Sequence, residues 1–558
     1  MPSTTTPRWM RWSASGLRGV VAAHLVGAAW LLLVLPAIGF IVGSRPSPEL
    51  PAEPTAHPDS RLERHGAIWH CHLAGSALQR GFACGKLTAP MMANHENELF
   101  STLQELVPWF PFRHLILGLV TFNNRDLDAF LRAEELQAIA GLARGYRAAG
   151  DPNAHVGPAF GRILGYHALH DASQYLIDNP LITAPQVGCS AVALGASRSA
   201  DGHLLVGRLF DFEGGRSFDF DKVVYTVAPA AEGGIERLRY MNVAWGGVHG
   251  AVTGMNEASL WVSINAGVSD HFAYRGRPLV IAVHHVLETC RTIDQAIAHL
   301  TSQPVFVSES VLLASAQDGH RAVCLELAPG RHHVREMSGD RLVATNHFEH
   351  PGWASDGANT QRRAEGTTMA RSMRLHELIE SAPQHTPAAL AELLRDRRGV
   401  GGSDLGFGHR SGVNAWIGAH LVVADLDACI LWVAEPEHGL GGLLPFGLEG
   451  PRAELEALPP SIDLPLFAQQ GRTWKPDLER TRHLVARRDP AAASRCRELI
   501  ERNPQHYEPY VLLATCTEDR AAAAALLRLA LERRPAYASE RRTIEARLQR
   551  LEAAGTAR

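Results

Sequence analysis

The texture of this chain changes at one dipeptide. Up to Pro185 the patterns are mainly helical, with apolar residues at three- and four-residue spacing over residues 96–106, 127–149 and 159–177. From Gly188-Cys189 onward short alternating runs take over, beginning with GCSAVALGASRSADGHLLVGRLFDF, and turn signals such as Ala200-Asp201-Gly202 and Gln317-Asp318-Gly319 separate them. Helical stretches at 278–300, 368–381 and 387–397 interrupt the strands. An α-rich leading segment, 61–188, therefore precedes a sheet-rich region, 189–450, in which strands alternating with paired helices predict sheets flanked by helical layers.

The dipeptide also carries chemistry. If the Gly188-Cys189 bond breaks, Cys189 bears a thiol and a free α-amine, whose reference pKa of roughly 8 lets it act as a base near neutral pH. One residue then supplies both nucleophile and base. Gly188 has no Cβ, which allows strained geometry and open approach of the thiol to its carbonyl; attack forms a thioester that water releases. The bland alternative for Cys189 is a buried structural cysteine. Arg208 and Asp211 follow on the next strand. Three apart, they nominally face opposite sides unless the strand ends or bulges between them, and their own bland reading is a surface ion pair.

The two ends differ from this middle. Arg8, Arg11 and Arg18 precede a run over residues 19–44 that lacks Asp, Glu, Lys and Arg. At about 1.5 Å per helical residue the run can cross a hydrocarbon core of about 30 Å. It exceeds the roughly 7 to 15 apolar residues of a signal peptide, which favours an uncleaved anchor over a removed signal. Arginines before the span place residues 1–18 in the cytoplasm and the catalytic region outside it; a cleaved segment would instead give a secreted protein. Residues 45–60, rich in Pro, Ser and Glu, read as an extended linker.

At the other end, residues 474–558 turn to Arg/Ala/Leu/Glu-rich helices, expected at 491–502, 507–515, 520–533 and 539–553. Asn503-Pro504 and Arg534-Pro535 recur about 31 residues apart, close to a tetratricopeptide period of about 34, and a pair of helical hairpins packed on the preceding domain explains the pattern equally well.

A chain of 558 residues with 46% hydrophobic and 20% charged residues has ample material for a core. Its formal charge of -4 leaves no basic footprint, which argues against a nucleic-acid partner. The eight cysteines are scattered, with Cys71 and Cys84 as a candidate disulfide pair. No CxxC or HExxH spacing is present, and the doublets His284-His285 and His332-His333 read as surface or core histidines rather than metal ligands.

Five pieces stand in one order: LAGSALQRGFACGKL, GCS with GRLFDF, GMNEASLWVSINAG, SVLLASAQDGHRAVCLELAPG and LVATNHFEHPGW, within roughly residues 73–448. Together they resemble the acyl-coenzyme A:6-aminopenicillanic acid acyltransferase family of N-terminal-nucleophile hydrolases and, more distantly, the bile salt hydrolases. The resemblance implies an α+β, four-layer αββα sandwich and a precursor that cuts itself between Gly188 and Cys189. It implies that Asp211 holds the new α-ammonium or α-amine and that Arg208 favours the thiolate and orients substrate. The family often has Arg-Asn-x-Asp here, where this chain has Arg208-Leu209-Phe210-Asp211. Arg371 resembles the family's late arginine, with Arg374, Arg362 and Arg363 as nearby competitors. Acyl transfer also needs donors aimed at the developing oxyanion. Asn346 is the candidate side-chain donor and Asn265 a neighbouring contact, each otherwise a turn residue after an apolar strand.

These readings predict an exported, membrane-anchored, self-processing acyltransferase or amidohydrolase. Its substrate would be a small-molecule or lipid acyl-amide or acyl-thioester, and neither metal nor other cofactor is implied. The alternative is an inert membrane-anchored scaffold that binds a protein partner through its C-terminal helices.

Overall fold

Alternation along the strands sorts the residues into layers. A computed structural model describes residues 47–556 apart from 51–52, 108, 170, 172–186, 232–233 and 235. Among these residues, a nine-stranded sheet runs through Arg61–His65, Ile68–Gly75, Lys222–Pro229, Tyr240–Trp245, Thr253–Asn256, Leu260–Ala266, Glu309–Ser315, Arg321–Ala328 and Arg331–Glu336. A seven-stranded sheet runs through Arg341–Ala344, Val187–Leu194, Leu205–Phe212, Gly418–Asp425, Ile430–Ala434, Leu443–Gly447 and Gly450–Pro451.

Strand Val187–Leu194 shows how the layers arise. Its Ala191 and Ala193 enter the core between the sheets, where they meet Val224, Met241, Trp261 and Leu312 of the larger sheet. Val192 and Leu194 point the other way, onto Leu375, Ile379, Leu390 and Leu394 of the helices Thr368–Glu380 and Pro387–Arg395. On the far face of the larger sheet, Leu73, Val223, Val262 and Leu313 pack with residues of the helices Ala77–Leu87, Ala133–Ala148 and Leu279–Thr289. The order is helix, sheet, sheet, helix. Helices Ala77–Leu87 and Ala133–Ala148 pack backbone to backbone, since a Cβ at Gly81 or Gly145 would enter the facing helix.

Several expectations need correction. The mainly helical leading segment opens on two strands. Arg61–His65 and Ile68–Gly75 are strands, and the second pairs in parallel with Lys222–Pro229, a partner far along the chain that no local pattern announces. The helix expected over 278–300 is two, Leu279–Thr289 and Ile293–Thr301, because Cys290 is extended and Thr292 caps the second helix by accepting from the Gln295 N–H. Cys71 and Cys84 are unpaired buried thiols, and the Cys84 Sγ lies 3.7 Å from the Tyr225 hydroxyl. The helix expected over 127–149 is Ala133–Ala148, preceded by a 3₁₀ turn, Asn124–Phe130. The one expected over 159–177 is Ala159–His167, the stretch beyond falling partly outside the described residues.

The C-terminal helices are Arg472–Ala486, Ala492–Arg502, Glu508–Thr515, Arg520–Glu532 and Ala538–Thr556. They sit on the sandwich: Trp474, Leu478 and Leu499 bury with Phe407 and Trp416, and the Asn503 Nδ2 donates to the Phe407 carbonyl at 2.9 Å. The expected cytoplasmic tail, 1–18, and the apolar run, 19–44, lie outside the described residues. Among the described residues no helix is long and apolar enough to cross a membrane.

Candidate active site

Strands Val187–Leu194 and Leu205–Phe212 pair with Gly188 opposite Asp211 and Cys189 opposite Phe210. Opposed residues of an antiparallel pair share a face, so Cys189 goes with Phe210 and Arg208, and Gly188 with Asp211. Both strands run without interruption here; the irregularity lies in the neighbouring strand, between Gly418 and His420. Arg208 and Asp211 therefore do face opposite sides, and the site is divided by its own sheet.

Arg208 lies on the inner side, between the sheets, and is fully buried. Its guanidinium donates to the Val252 carbonyl at 2.8 Å and also to the Ile264 carbonyl and the Thr253 hydroxyl. Its Nε is 3.4 Å from Asn265 Oδ1 and its Nη2 3.9 Å from Cys189 Sγ. Asn265 is held in turn by donating to the Ala344 carbonyl at 3.1 Å. Burial pushes the Cys189 thiol up, with the Arg208 charge opposing it. Phe210 stacks on His420, with ring centroids 5.2 Å apart, and Phe218 and Trp245 complete an aromatic surround beside the cysteine.

The backbone of Cys189 is gripped as well. Its N–H donates to Asn346 Oδ1 at 2.8 Å, and its carbonyl accepts from Arg371 Nη1 at 2.6 Å. Arg371 Nη2 donates to the same Asn346 oxygen at 2.7 Å, and Nη1 reaches the Ser190 hydroxyl at 3.0 Å. Of the two Asn346 amide protons, one goes to the Ala266 carbonyl at 2.9 Å. The Asn346 N–H donates to the Thr368 hydroxyl at 2.9 Å, so the residue that opens the Arg371 helix also fixes the asparagine. Of the competing arginines, Arg374 turns away to Asp396 at 2.8 Å.

Asp211 lies on the outer side, facing the helices. A Cβ at position 188 would come within 2.8 Å of its Oδ2, so glycine is what leaves room for the carboxylate. Its Oδ1 is buried with no hydrogen-bond partner among the described residues. Burial lifts the carboxyl to about 6, although Arg371 and Arg410 pull it down. Two residues on, Glu213 pairs with Arg410 at 3.4 Å and with Lys475, which helix Arg472–Ala486 delivers.

The structure thus brings Gly188, Cys189, Arg208, Asp211, Asn265, Asn346 and Arg371 together. It adds Thr368, His420, Glu213, Arg410 and Lys475, which the sequence reading passed over. His420 had a signal, a single polar residue inside the apolar strand Gly418–Asp425; Lys475 had none, because only the docking of the C-terminal helices brings it near. Among the described residues, Asp201, His203 and Asp425 stand within metal-ligand reach of one another, at the far end of the hairpin. There the His203 Nδ1 is already 2.8 Å from Asp425 Oδ2.

No curated protein matches this sequence. Solved structures that align include a Caenorhabditis elegans ortholog of N-acylethanolamine-hydrolyzing acid amidase, at 16% identity over 43% of this chain and 93% of that one, with a TM-score of 0.31. A penicillin V acylase from Agrobacterium tumefaciens aligns at 12% identity over 47% of this chain and 86% of its own, with a TM-score of 0.32. A conjugated bile acid hydrolase variant from Clostridium perfringens aligns at 11% identity, 47% and 93% coverage and a TM-score of 0.32. These likenesses are distant. The model of the acyl-coenzyme A:6-aminopenicillanic acid acyl-transferase family matches residues 201–403, a stretch that holds Arg208, Asp211, Asn265, Asn346 and Arg371 and starts just after Cys189. Over that stretch this chain is similar to a family of acyltransferases, the one its motifs resemble.

Proposed function

We propose that this chain is an exported, self-processing cysteine N-terminal-nucleophile enzyme that cleaves or transfers an acyl group at an amide bond through a thioester on Cys189. The observation that carries this reading is the grip on one residue: a guanidinium at its thiol, an asparagine at its N–H and an arginine at its carbonyl. A structural cysteine needs none of these.

In processing, the Cys189 sulfur attacks the Gly188 carbonyl carbon and the thiol proton passes to the amide nitrogen. The C–N bond breaks, leaving a Gly188 thioester and a free α-amine on Cys189. Water hydrolyses the thioester, releasing the Gly188 carboxylate and restoring the thiol. In turnover, the α-amine takes the thiol proton, the thiolate attacks the substrate carbonyl, and the second Asn346 amide proton meets the developing oxyanion. The leaving amine departs with a proton, and water or an acceptor amine removes the acyl group. Arg208 supports the thiolate, and Asp211 holds the α-ammonium in the space that Gly188 vacates.

The run 19–44 supports export with the sandwich held at a membrane, and protease added to intact cells should then reach residues 61–558. Acyl amides, soluble or lipid, are the substrates to screen. Intact-mass measurement and N-terminal sequencing, beside Cys189→Ala, test the core of the reading. A fragment beginning at Cys189 is expected in the wild type alone; a single uncut chain in both would remove it.

A further inference from the structure

Helix Phe110–Asn123, with the sequence FPFRHLILGLVTFN, is apolar on nearly every side and has no acidic residue. A helix of that kind belongs inside a protein. Only part of it is inside. Leu115 is buried, but Trp109, Phe110, Phe112 and Phe122 are 59%, 59%, 45% and 40% exposed. A second aromatic pair stands beside it: Phe272 and Tyr274 are 54% and 74% exposed, and their loop is tied to the end of the helix by Arg275, which pairs with Asp126 at 2.9 Å. Exposed aromatic side chains thus stand at both ends of the helix, Trp109, Phe110 and Phe112 at its start and Phe122 with the loop of Phe272 and Tyr274 toward its finish, and exposed apolar surface of this kind marks a contact surface.

Arginines stand among the rings, two of them sharing the Asp126 carboxylate, which pairs with Arg275 and lies 3.6 Å from Arg125. The Arg113 guanidinium lies over the Phe110 ring at 5.8 Å and that of Arg125 over Phe122 at 4.0 Å, with Arg275 alongside. Aromatic rings edged by arginines suit the headgroup level of a bilayer, where the rings sit at the hydrocarbon boundary and the guanidiniums meet phosphates. The 14 residues span about 21 Å, too short for a hydrocarbon core of about 30 Å, so the helix can lie in the boundary but not cross it. Linker residues 45–60, at no more than about 3.6 Å each, keep Arg61, where the sandwich begins, within roughly 55 Å of any membrane that holds the run 19–44.

We propose that this aromatic face docks on a lipid bilayer surface as a second membrane contact, separate from the apolar run 19–44. Docking would also aim the site. Helix Ala89–Leu106 packs Leu99 against the Cys189 cluster and ends about 10 Å farther on, where the aromatic face begins.

The full chain in vesicles of brominated phosphatidylcholine, compared with unbrominated vesicles, tests this through tryptophan emission. The difference between wild type and Trp109→Phe isolates Trp109 from the other tryptophans, including Trp9, Trp12 and Trp30 near or in the run. The Trp109 share should be quenched by bromine, and Phe110→Ser with Phe112→Ser should abolish that quenching while the Trp109→Phe chain keeps the wild-type circular dichroism. An equal Trp109 share in both lipids overturns the proposal. So does shielding of Trp109 from aqueous acrylamide in detergent that grows with protein concentration, which would give the face to a second copy of the chain. Quenching does not depend on turnover, so this result stands apart from the acyl-transfer reading.

Discussion

The two sides of strand Leu205–Phe212 handle buried charge in opposite ways. On the inner side burial pushes Arg208 down, yet it stays a cation, with its guanidinium donating to the Val252 and Ile264 carbonyls. On the outer side Asp211 has one oxygen without a partner and shifts toward its neutral form instead. The inner side is built to hold a fixed charge beside the thiol. The outer side is left short of a donor, and the amine released at Cys189 would supply it. In the uncut chain burial also pushes the Cys189 thiol toward its neutral form.

Inner-side substitutions should therefore strike chemistry hardest. Arg208→Met removes a charge about 4 Å from the sulfur, worth up to about 4 kcal/mol at an effective dielectric near 20. Turnover should fall steeply, and the alkylation rate of the processed thiol should titrate at higher pH. If alkylation titrates unchanged, Arg208 is a strut between the sheets and the contrast between the sides loses its inner half. Next comes Asn346→Ala, expected to cost roughly 100- to 1000-fold in turnover through the oxyanion. Because Asn346 also holds the Cys189 N–H, processing should slow with it; normal turnover of the processed variant would remove the donor role.

The outer side should show itself in stability. Asp211 sits at about 6 in the folded chain against an ordinary 3.8, chiefly through burial. The folded state therefore holds this proton more tightly than the unfolded one, and stability falls as pH rises from about 4 to about 6, by about 3 kcal/mol in all. Measured in a Cys189→Ala background, where no amine is released, Asp211→Asn should flatten that fall. A wild-type-like slope in Asp211→Asn would mean that another group titrates there.

Much of this was legible in the sequence where a local rule applied. The hairpin from Val187 to Phe212, its Asp201-Gly202 turn and the alternation that separates Arg208 from Asp211 all follow from period-two patterning. The resemblance supplied the residues that meet at Cys189, but could not say that a sheet divides them. Strand Ile68–Gly75 was missed although one of its partners is local, Arg61–His65 across a turn at Gly66-Ala67; only the other lies some 150 residues away. The site's outer wall was missed because Glu213, Arg410 and Lys475 belong to three distant segments.

That wall offers the finest test of the contrast. Lys475 is half-exposed and reaches Asp211 only across Glu213, so its pull on the carboxyl is the weakest of the cations, behind Arg371 and Arg410. Exposed ion pairs are worth about 0–1 kcal/mol. Lys475→Gln should then move the stability fall between pH 4 and 6 upward by a few tenths of a pH unit at most, on the order of the lower part of that range. Arg410→Met should move it further, since that guanidinium is buried nearer the carboxyl. A graded response would make the C-terminal helices part of the electrostatic surroundings of the α-amine. If Lys475→Gln lowers stability equally at every pH, the helices brace the sandwich without tuning Asp211, and the outer side belongs to Arg371 and Arg410 alone.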